Sequence, residues 1–523
     1  MRCSHSTFLV AAISIAIVST PAQAGQVEDL RPFDLAHFEW VASGGHGWDR
    51  IAGVVLDGTR VEGGVPSRFE KTLDMRTGHC RMTQQTGPTR AVSGYDGVTW
   101  NAFNGIVNSV DLPPLVEDAR SRAFVDRAGW RAKTGYTISK VERSDRVGVV
   151  YYRPDGGSEI EVSFDLEDHA VKQVVFQTDD GPLTVAYSDW RRIGKVRLPF
   201  RQVETSNTGE VTKLEIKRMR LLNKIPPEML ARPVGSRHGR LASGEEARIP
   251  FRYLGSHILV STTVNDVPAD VVFDTGAANY FSPAWAQRFG LEVSGGLNLG
   301  GVGESSTTGG YALVKKISLG SAELADETVI VGPTPFGAND TAAGSVGFEL
   351  LAEFRTTIDY PAQTITFAES HQPSGPLRGG TTLPFYSDGH SIYIEAEVDG
   401  RSGLFRLDTG DGKTVTLFPT FAQEHDLYQT TAQAVVSGAG VGGTVTARNI
   451  TLSRFKLGGT EFREIPARMS LNRAGSFASR SLAGNLGGGL LRCFRITVDY
   501  PGRLVVFQSD PERLRGCVTT THK

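Results

Sequence analysis

The chain has 523 residues, 40% hydrophobic and 21% charged, with 60 Gly, 25 Pro and only 4 Cys. At about 150 residues per domain this predicts two to four domains. The apolar content excludes an intrinsically disordered chain, and the few cysteines exclude a disulfide-dense scaffold. A formal net charge of −2 points to no nucleic-acid partner and no anionic-membrane partner. Glycine above its usual share of about 7%, without long helical patterns, predicts β-structure joined by tight turns.

In chain order, residues 1–24 read as a cleaved signal peptide: Arg2 is followed by an apolar run at 8–18 and by Ala22-Gln23-Ala24. The mature start is then near Gly25. The run falls short of the roughly 20 residues that a transmembrane helix needs, and no later stretch reads as a span. The protein is therefore expected to be exported, periplasmic or secreted, with no membrane span. Of the remaining cysteines, Cys493 and Cys517 can close the C-terminal end in an oxidising compartment, which leaves Cys80 unpaired. Three free thiols are the alternative. No cysteine–histidine spacing resembles a metal site, and the sequence asks for no cofactor.

Residues 25–230 predict an antiparallel β-sheet domain, with strands at 160–164, 170–177, 183–187, 197–203 and 211–221 and a helical segment at 115–130. Five of the six tryptophans lie here, at 40, 48, 100, 130 and 190, and read as core residues. Residues 231–247, with Pro233, Gly235, Gly239 and Gly244, read as a linker.

An internal repeat follows. Ile249-Pro250-Phe251 aligns with Leu383-Pro384-Phe385 at an offset of 134, and without a gap Asp274-Thr275-Gly276 then meets Asp408-Thr409-Gly410. Beyond the triplets Ala286-Gln287 matches Ala422-Gln423 at offset 136. Gly344-Ser345-Val346-Gly347 matches Gly484-Asn485-Leu486-Gly487, and Asp359-Tyr360-Pro361 matches Asp499-Tyr500-Pro501, at offset 140. The copies span 248–368 and 381–510, separated by a linker at 369–380 and followed by a tail at 511–523. In each copy a β-rich run (258–264, 392–398) ends in a turn dipeptide, Asn265-Asp266 or Asp399-Gly400, and a second strand leads straight into Asp-Thr-Gly. Short helices are predicted at 284–291 and 420–427, and closing hairpins at 356–367 and 497–507.

One Asp-Thr-Gly is an ordinary turn signal. Two, at equivalent places in a repeat, place paired carboxylates in one site, where they share a proton because both cannot ionise cheaply. Such a pair hydrolyses amides by general acid–base chemistry on a water. Thr275 and Thr409 are expected to hydrogen-bond across the junction. Gly276 and Gly410 let backbone N–H groups approach the carboxylates.

The repeat resembles the retropepsin-like aspartic protease family in its bacterial exported form, over residues 247–510. Residues 264–277 resemble the family's strand–turn–strand entry to the catalytic loop, and Ala343-Gly344-Ser345-Val346-Gly347 its second motif, which packs beneath that loop. The resemblance implies two tandem acid-protease β-barrel modules forming an intramolecular pseudo-dimer. It further implies Asp274 and Asp408 as catalytic residues, and flaps at Gly301-Val302-Gly303 and Gly440-Val441-Gly442. For the second flap a plain β-turn is an equal reading. The second copy departs from the pattern in Asp411, where the first has Ala277; its side chain is expected to point outward as a loop residue. The N-terminal half more diffusely resembles periplasmic carriers of the lipoprotein-localisation type, through residues 95–100 and 187–200. That resemblance implies a curved antiparallel sheet around an apolar cavity.

The fold expected is mainly β. The function expected is an exported aspartic endopeptidase with a polypeptide substrate, acting as a monomer. The alternative is a catalytically silent carrier or scaffold with an apolar ligand at the N-terminal domain. Pairing of each module with its counterpart in another chain is a further arrangement the sequence leaves open.

Overall fold

The computed structural model describes residues 31–87, 89–334, 341–370, 380–427, 433–509, 514 and 517. The segment expected to be a signal peptide, most of the 369–380 linker and most of the C-terminal tail lie outside the described residues.

The N-terminal half is one thirteen-stranded sheet in which every neighbouring pair is antiparallel. From Gly53–Glu62 the chain meanders outward to one edge at Ile106–Val110, crosses on the helix Pro113–Asp126, and starts again at the opposite edge, Tyr136–Arg143. It then returns strand by strand until Val211–Leu222 pairs with Gly53–Glu62, Gly53 opposite Leu222. Alternation sets the faces: in Val147–Pro154 the residues Gly148, Val150, Tyr152 and Pro154 are buried and those between them are not. The buried face is covered by the helices Pro32–Ser43 and Pro113–Asp126, whose Leu35, Ala36 and Phe124 join Trp130, Tyr152, Phe164 and Phe176 in one cluster. Glu39 lies on the buried face of the first helix. It accepts from Arg131 Nε at 2.8 Å and Nη2 at 2.5 Å, and from Trp130 Nε1 at 3.1 Å.

The repeat is visible in the topology. In the first copy Val267–Phe273 runs parallel to Gly344–Val346, and Tyr280–Phe281 parallel to Ala322–Val331. In the second, Arg401–Asp408 runs parallel to Gly484–Gly487, and Val415–Leu417 parallel to Thr460–Ser470. Each module curls so that its first long strand also pairs with a later one: Val264 with Ile317, and Val398 with Phe455. The turns at Asn265-Asp266 and Asp399-Gly400 have positive φ at both residues, as the tight hairpin turn matched to strand twist requires.

The modules meet in a shared run of six strands, in the order Glu246–Leu254, Thr364–Glu369, Phe354–Asp359, Arg495–Asp499, Leu504–Gln508, Thr381–Pro384. At its centre Thr357 faces Thr497, residues equivalent at offset 140, and their hydroxyls are 2.9 Å apart. The pseudo-twofold axis therefore passes between them, and one hydrophobic core spans both modules.

The segment expected as a plain linker carries the short strand Gly239–Leu241, paired with Ala322–Val331, because it passes along a sheet edge with unpaired backbone groups. Its Arg237 and His238 are held by Glu353. The N-terminal sheet also docks on the second module. Leu112 shares a cluster with Tyr393, Phe418, Val445, Phe477 and Leu482, and Asp179 accepts from Ser479 Oγ at 2.7 Å and Ser481 N at 2.7 Å. Cys493 and Cys517 form a disulfide, and Cys80 is a free thiol. Among the described residues no helix is long and apolar enough to cross a membrane.

Replacing Glu39 with Ala leaves the Arg131 guanidinium, only 17% exposed, without its partner. A loss of about 3 kcal/mol is expected, read as a lower denaturant midpoint for the N-terminal sheet, with Trp130 fluorescence as the probe.

Candidate active site

Each aspartate stands where an apolar strand stops. Val271, Val272 and Phe273 are fully buried, as are Phe405 and Leu407, so burial fixes the strand positions and delivers Asp274 and Asp408 to the seam between modules. Asp274 N donates to Val346 O at 2.9 Å, continuing the parallel ladder. The second glycine motif lies directly beneath. A Cβ on Gly347 would stand 1.8 Å from Asp274 O, and one on Gly487 would stand 2.2 Å from Lys413 O, so neither position admits a side chain.

The threonines lock the two loops together reciprocally. Thr275 N donates to Thr409 Oγ1 and Thr409 N to Thr275 Oγ1, both at 3.0 Å. Thr275 Oγ1 donates to Leu407 O at 2.9 Å, and Thr409 Oγ1 to Phe273 O at 2.8 Å. All are buried. The glycines then let the carboxylates converge: Gly276 N donates to Asp274 Oδ1 at 2.9 Å and Gly410 N to Asp408 Oδ1 at 3.0 Å. A Cβ on Gly276 would lie 2.9 Å from Asp408 Cγ, and one on Gly410 would lie 2.2 Å from Asp274 Oδ2. Asp274 is raised well above the usual carboxylate range, by burial first and then by the charge and shared hydrogen bond of Asp408.

The glycine-rich stretches lie over this pair. Gly301, Val302 and Gly303 sit in the loop between Ser294–Leu299 and Thr307–Leu319, and Val441 and Gly442 form the tip between Ala434–Gly440 and Gly443–Leu457. The two tips touch: Gly303 N donates to Val441 O at 3.1 Å and Ser305 N to Gly442 O at 3.0 Å. Gly442 has φ +84°, and a Cβ there would meet Ser305 O at 2.1 Å, which accounts for glycine at that tip. Asn472 Nδ2 holds Val302 O at 2.9 Å. Below them is a cleft of about 890 Å³. Its walls differ. The first module contributes Ala277, Tyr280, Leu299 and Ile330, and the second Arg406, Lys413, Ser437, Arg468 and Phe477.

Asp411 does not point outward as expected. It is buried and accepts from Arg468 Nη2 at 3.1 and 3.0 Å, from Asn485 Nδ2 at 3.0 Å and from Thr416 Oγ1 at 3.1 Å. Burial pushes its carboxyl up, but Arg468 and these donors outweigh it and hold the group below its ordinary value. The inward turn is stable because a guanidinium waits on the neighbouring strand Thr460–Ser470.

Arg406, Asn485, Arg468, Thr416 and Phe477 escaped the sequence reading, as did Asn279 and Glu349 under the first loop. Glu349 accepts from Asn279 N at 2.9 Å, and burial raises its carboxyl to about 7 against the pull of backbone N–H groups. Arg406 carried a signal: it is a charge inside the apolar run Leu404-Phe405-Arg406-Leu407, where the first copy has Val272. Among the described residues no group of three His, Cys, Asp or Glu could hold a metal ion.

The aspartyl protease family model matches this chain twice, over residues 260–350 and 394–487. Both matches lie within the duplicated modules. Among solved structures, the aspartic proteinase of Irpex lacteus is similar over 53% of this chain and 100% of its own, at 13% identity and TM-score 0.36. A retropepsin-like aspartic protease from Rickettsia conorii matches 25% of this chain and 90% of its own, at 23% identity and TM-score 0.20. A putative outer membrane lipoprotein-sorting protein domain from Vibrio parahaemolyticus matches 38% of this chain and 95% of its own, at 12% identity and TM-score 0.29. Comparison of the sequence with curated proteins returns no match. The repeat is thus a tandem pair of aspartyl-protease-like modules.

Thr409→Val removes the acceptor of the buried Thr275 N–H and the donor to Phe273 O. A loss of about 2 kcal/mol is expected, with faster hydrogen exchange at the Thr275 amide; Thr409→Ser, which keeps the hydroxyl, should restore both.

Proposed function

We propose that the protein is an exported aspartic endopeptidase with one active site per chain, built from Asp274 and Asp408. The observation that carries this reading is the convergence of the two carboxylates across the threonine lock, with Asp274 pushed upward by burial and by Asp408. One carboxylate is ionised and the other protonated. The ionised one takes a proton from a water as its oxygen attacks the scissile carbonyl carbon, while the protonated one donates to the carbonyl oxygen. Return of a proton to the amide nitrogen lets the C–N bond break, releasing an acid and an amine.

The cleft walls suggest the substrate class. The first module's lining is mostly apolar, with Ala277, Tyr280, Leu299 and Ile330 beside His257 and Ser345, while the second carries the charged Arg406, Lys413 and Arg468 beside Val441 and Phe477. Peptides with an apolar residue on one side of the scissile bond and a polar residue on the other suit this asymmetry. The closed flap tips imply that a substrate must part them to enter. Export rests on the signal-like residues 1–24, and N-terminal sequencing of the protein recovered outside the cytoplasm, starting near Gly25, checks it.

A second reading has its own observation. The N-terminal sheet encloses a cavity of about 520 Å³ lined by Trp48, Phe69, Trp130, Phe176, Tyr187 and Trp190, which suits an apolar ligand on a catalytically silent carrier.

Digestion of a peptide library between pH 3 and 7, with and without a transition-state-mimicking inhibitor, separates the two readings. Inhibitor-sensitive cleavage at apolar–polar junctions is expected, with Asp274→Asn and Asp408→Asn each lowering kcat/KM by about 10³-fold or more. Full activity in either variant would sink the shared dyad, and no cleavage at any pH would favour the carrier.

A further inference from the structure

The two aspartates are related by the repeat, but their surroundings are not. Asp408 Oδ1 accepts from Gly410 N at 3.0 Å and Asp411 N at 3.1 Å. Its Oδ2 accepts from Asn485 Nδ2 at 3.0 Å and lies 3.5 Å from Arg406 Nη2. Asp274 has the Gly276 N–H, its contact with Asp408 and a weaker share of the Arg406 charge. The difference is written in the ladder. Arg406 pairs with Asn485 in the second module as Val272 pairs with Ser345 in the first. The valine–serine pair of the first copy has become a guanidinium beside an amide.

Arg406 acts on Asp408 in two ways. Its charge favours the carboxylate directly. Its Nε also donates to Asn485 Oδ1 at 2.8 Å, which turns the amide so that Nδ2 faces both Asp408 and Asp411. Arg406 and Arg468 both lie over the Phe477 ring, at 5.6 and 5.3 Å from its centroid. Arg406, Asp408, Asp411 and Arg468 are all at most 9% exposed. Because the dyad shares one proton, its negative charge sits on Asp408 or on Asp274; on Asp408 it stands beside Arg406 and accepts from the Asn485 amide, whereas on Asp274 Arg406 senses it less strongly and the amide loses that carboxylate.

Other groups face the pair. His257, from His257–Val264, lies against Asp408 and Asp411, and burial lowers its pKa, favouring the neutral form. Tyr360 senses Asp408 from beneath. On the far side of Arg406 stand His390, Tyr393 and Asp388, the last partly exposed and accepting from Tyr393 Oη at 2.8 Å.

We propose that Arg406 is a positioning residue that breaks the symmetry of the dyad, making Asp408 the ionised base and Asp274 the proton donor. This rests on the endopeptidase reading for its chemical consequence, but the protonation order can be measured without catalysis. Asp408 takes the proton of the attacking water, and Asp274 gives its own to the carbonyl oxygen of the substrate. The acid limb of activity then follows Asp408 and the alkaline limb follows Asp274.

The test uses the full chain with 13C-labelled aspartate carboxyls, assigned through Asp274→Asn and Asp408→Asn, and titrated alongside kcat/KM. Asp408 should titrate below Asp274. Arg406→Val, which installs the residue of the first copy, should raise the Asp408 midpoint by at least one pH unit. Because activity requires ionised Asp408, the acid limb should move up by the same amount, about a tenfold loss on that limb. Asn485→Ser should shift both in the same direction by less, and Arg406→Lys should retain most of the effect. If Arg406→Val does not fold, the Asn485→Ser and Arg406→Lys titrations decide. Asp408 titrating above Asp274, or a midpoint that ignores a folded Arg406→Val or Asn485→Ser variant, would overturn the proposal. Ordered titration without peptide cleavage would defeat the endopeptidase reading alone. Cleavage with a symmetric titration would defeat this one alone.

Discussion

Two carboxylates held against each other at one seam, Asp408 buried and Asp274 half-buried, cannot both carry charge cheaply, and the second half of this chain is organised around that constraint. Holding Asp274 against Asp408 requires that nothing stand between them, that the backbone carrying each be immobile, and that the modules not slide. Gly276 and Gly410 meet the first requirement, since a single Cβ on either would strike the opposite carboxylate. The paired parallel ladders beneath the loops meet the second. The reciprocal Thr275–Thr409 bonds and the six-stranded seam centred on Thr357 and Thr497 meet the third.

The duplication supplies symmetry, and the second copy then departs from it. Val272, Ala277, Ile330 and Ser345 stand in and behind the first half of the site; Arg406, Asp411, Arg468 and Asn485 stand at the corresponding places in the second. These residues work as a group. Asp411 alone would add an unpaired anion beside the dyad, and Arg468 alone an unpaired cation. Together with Asn485 they make a neutral, hydrogen-bonded wall. The same wall packs Phe477 against the cluster around Leu112, so the N-terminal sheet and the cleft share a core.

Much of this was legible before any coordinates. The repeat, the two aspartates, the hairpins leading into them and the lower glycine motifs could be read because each depends on local chemistry: β-rich runs, turn dipeptides, glycine where backbone must approach. The N-terminal sheet was legible in its later strands, such as Val196–Thr205 and Val211–Leu222. Its earlier strands, rich in Thr, Arg and Gly, carry weak alternation and were not. The orientation of Asp411 was misjudged because a loop carboxylate ordinarily faces water, and its partner Arg468 lies 57 residues away in sequence. The strand in the linker was missed because pairing at a sheet edge is decided by the edge and leaves little mark on the paired segment.

The sequence by itself determined that a duplicated β-module presents two equivalent aspartates, because periodicity and turn chemistry are local properties of the chain. The tertiary structure alone decided that these aspartates meet within one chain, that the flap tips touch, and that Asp408 and not Asp274 accepts from a buried amide. Those outcomes depend on contacts between residues more than 70 positions apart, such as Asn485 with Asp408 and Gly303 with Val441. Electrostatic fate in a buried cleft is set by everything that packs around a charge, and a local stretch such as 404–408 carries only the part supplied by Arg406.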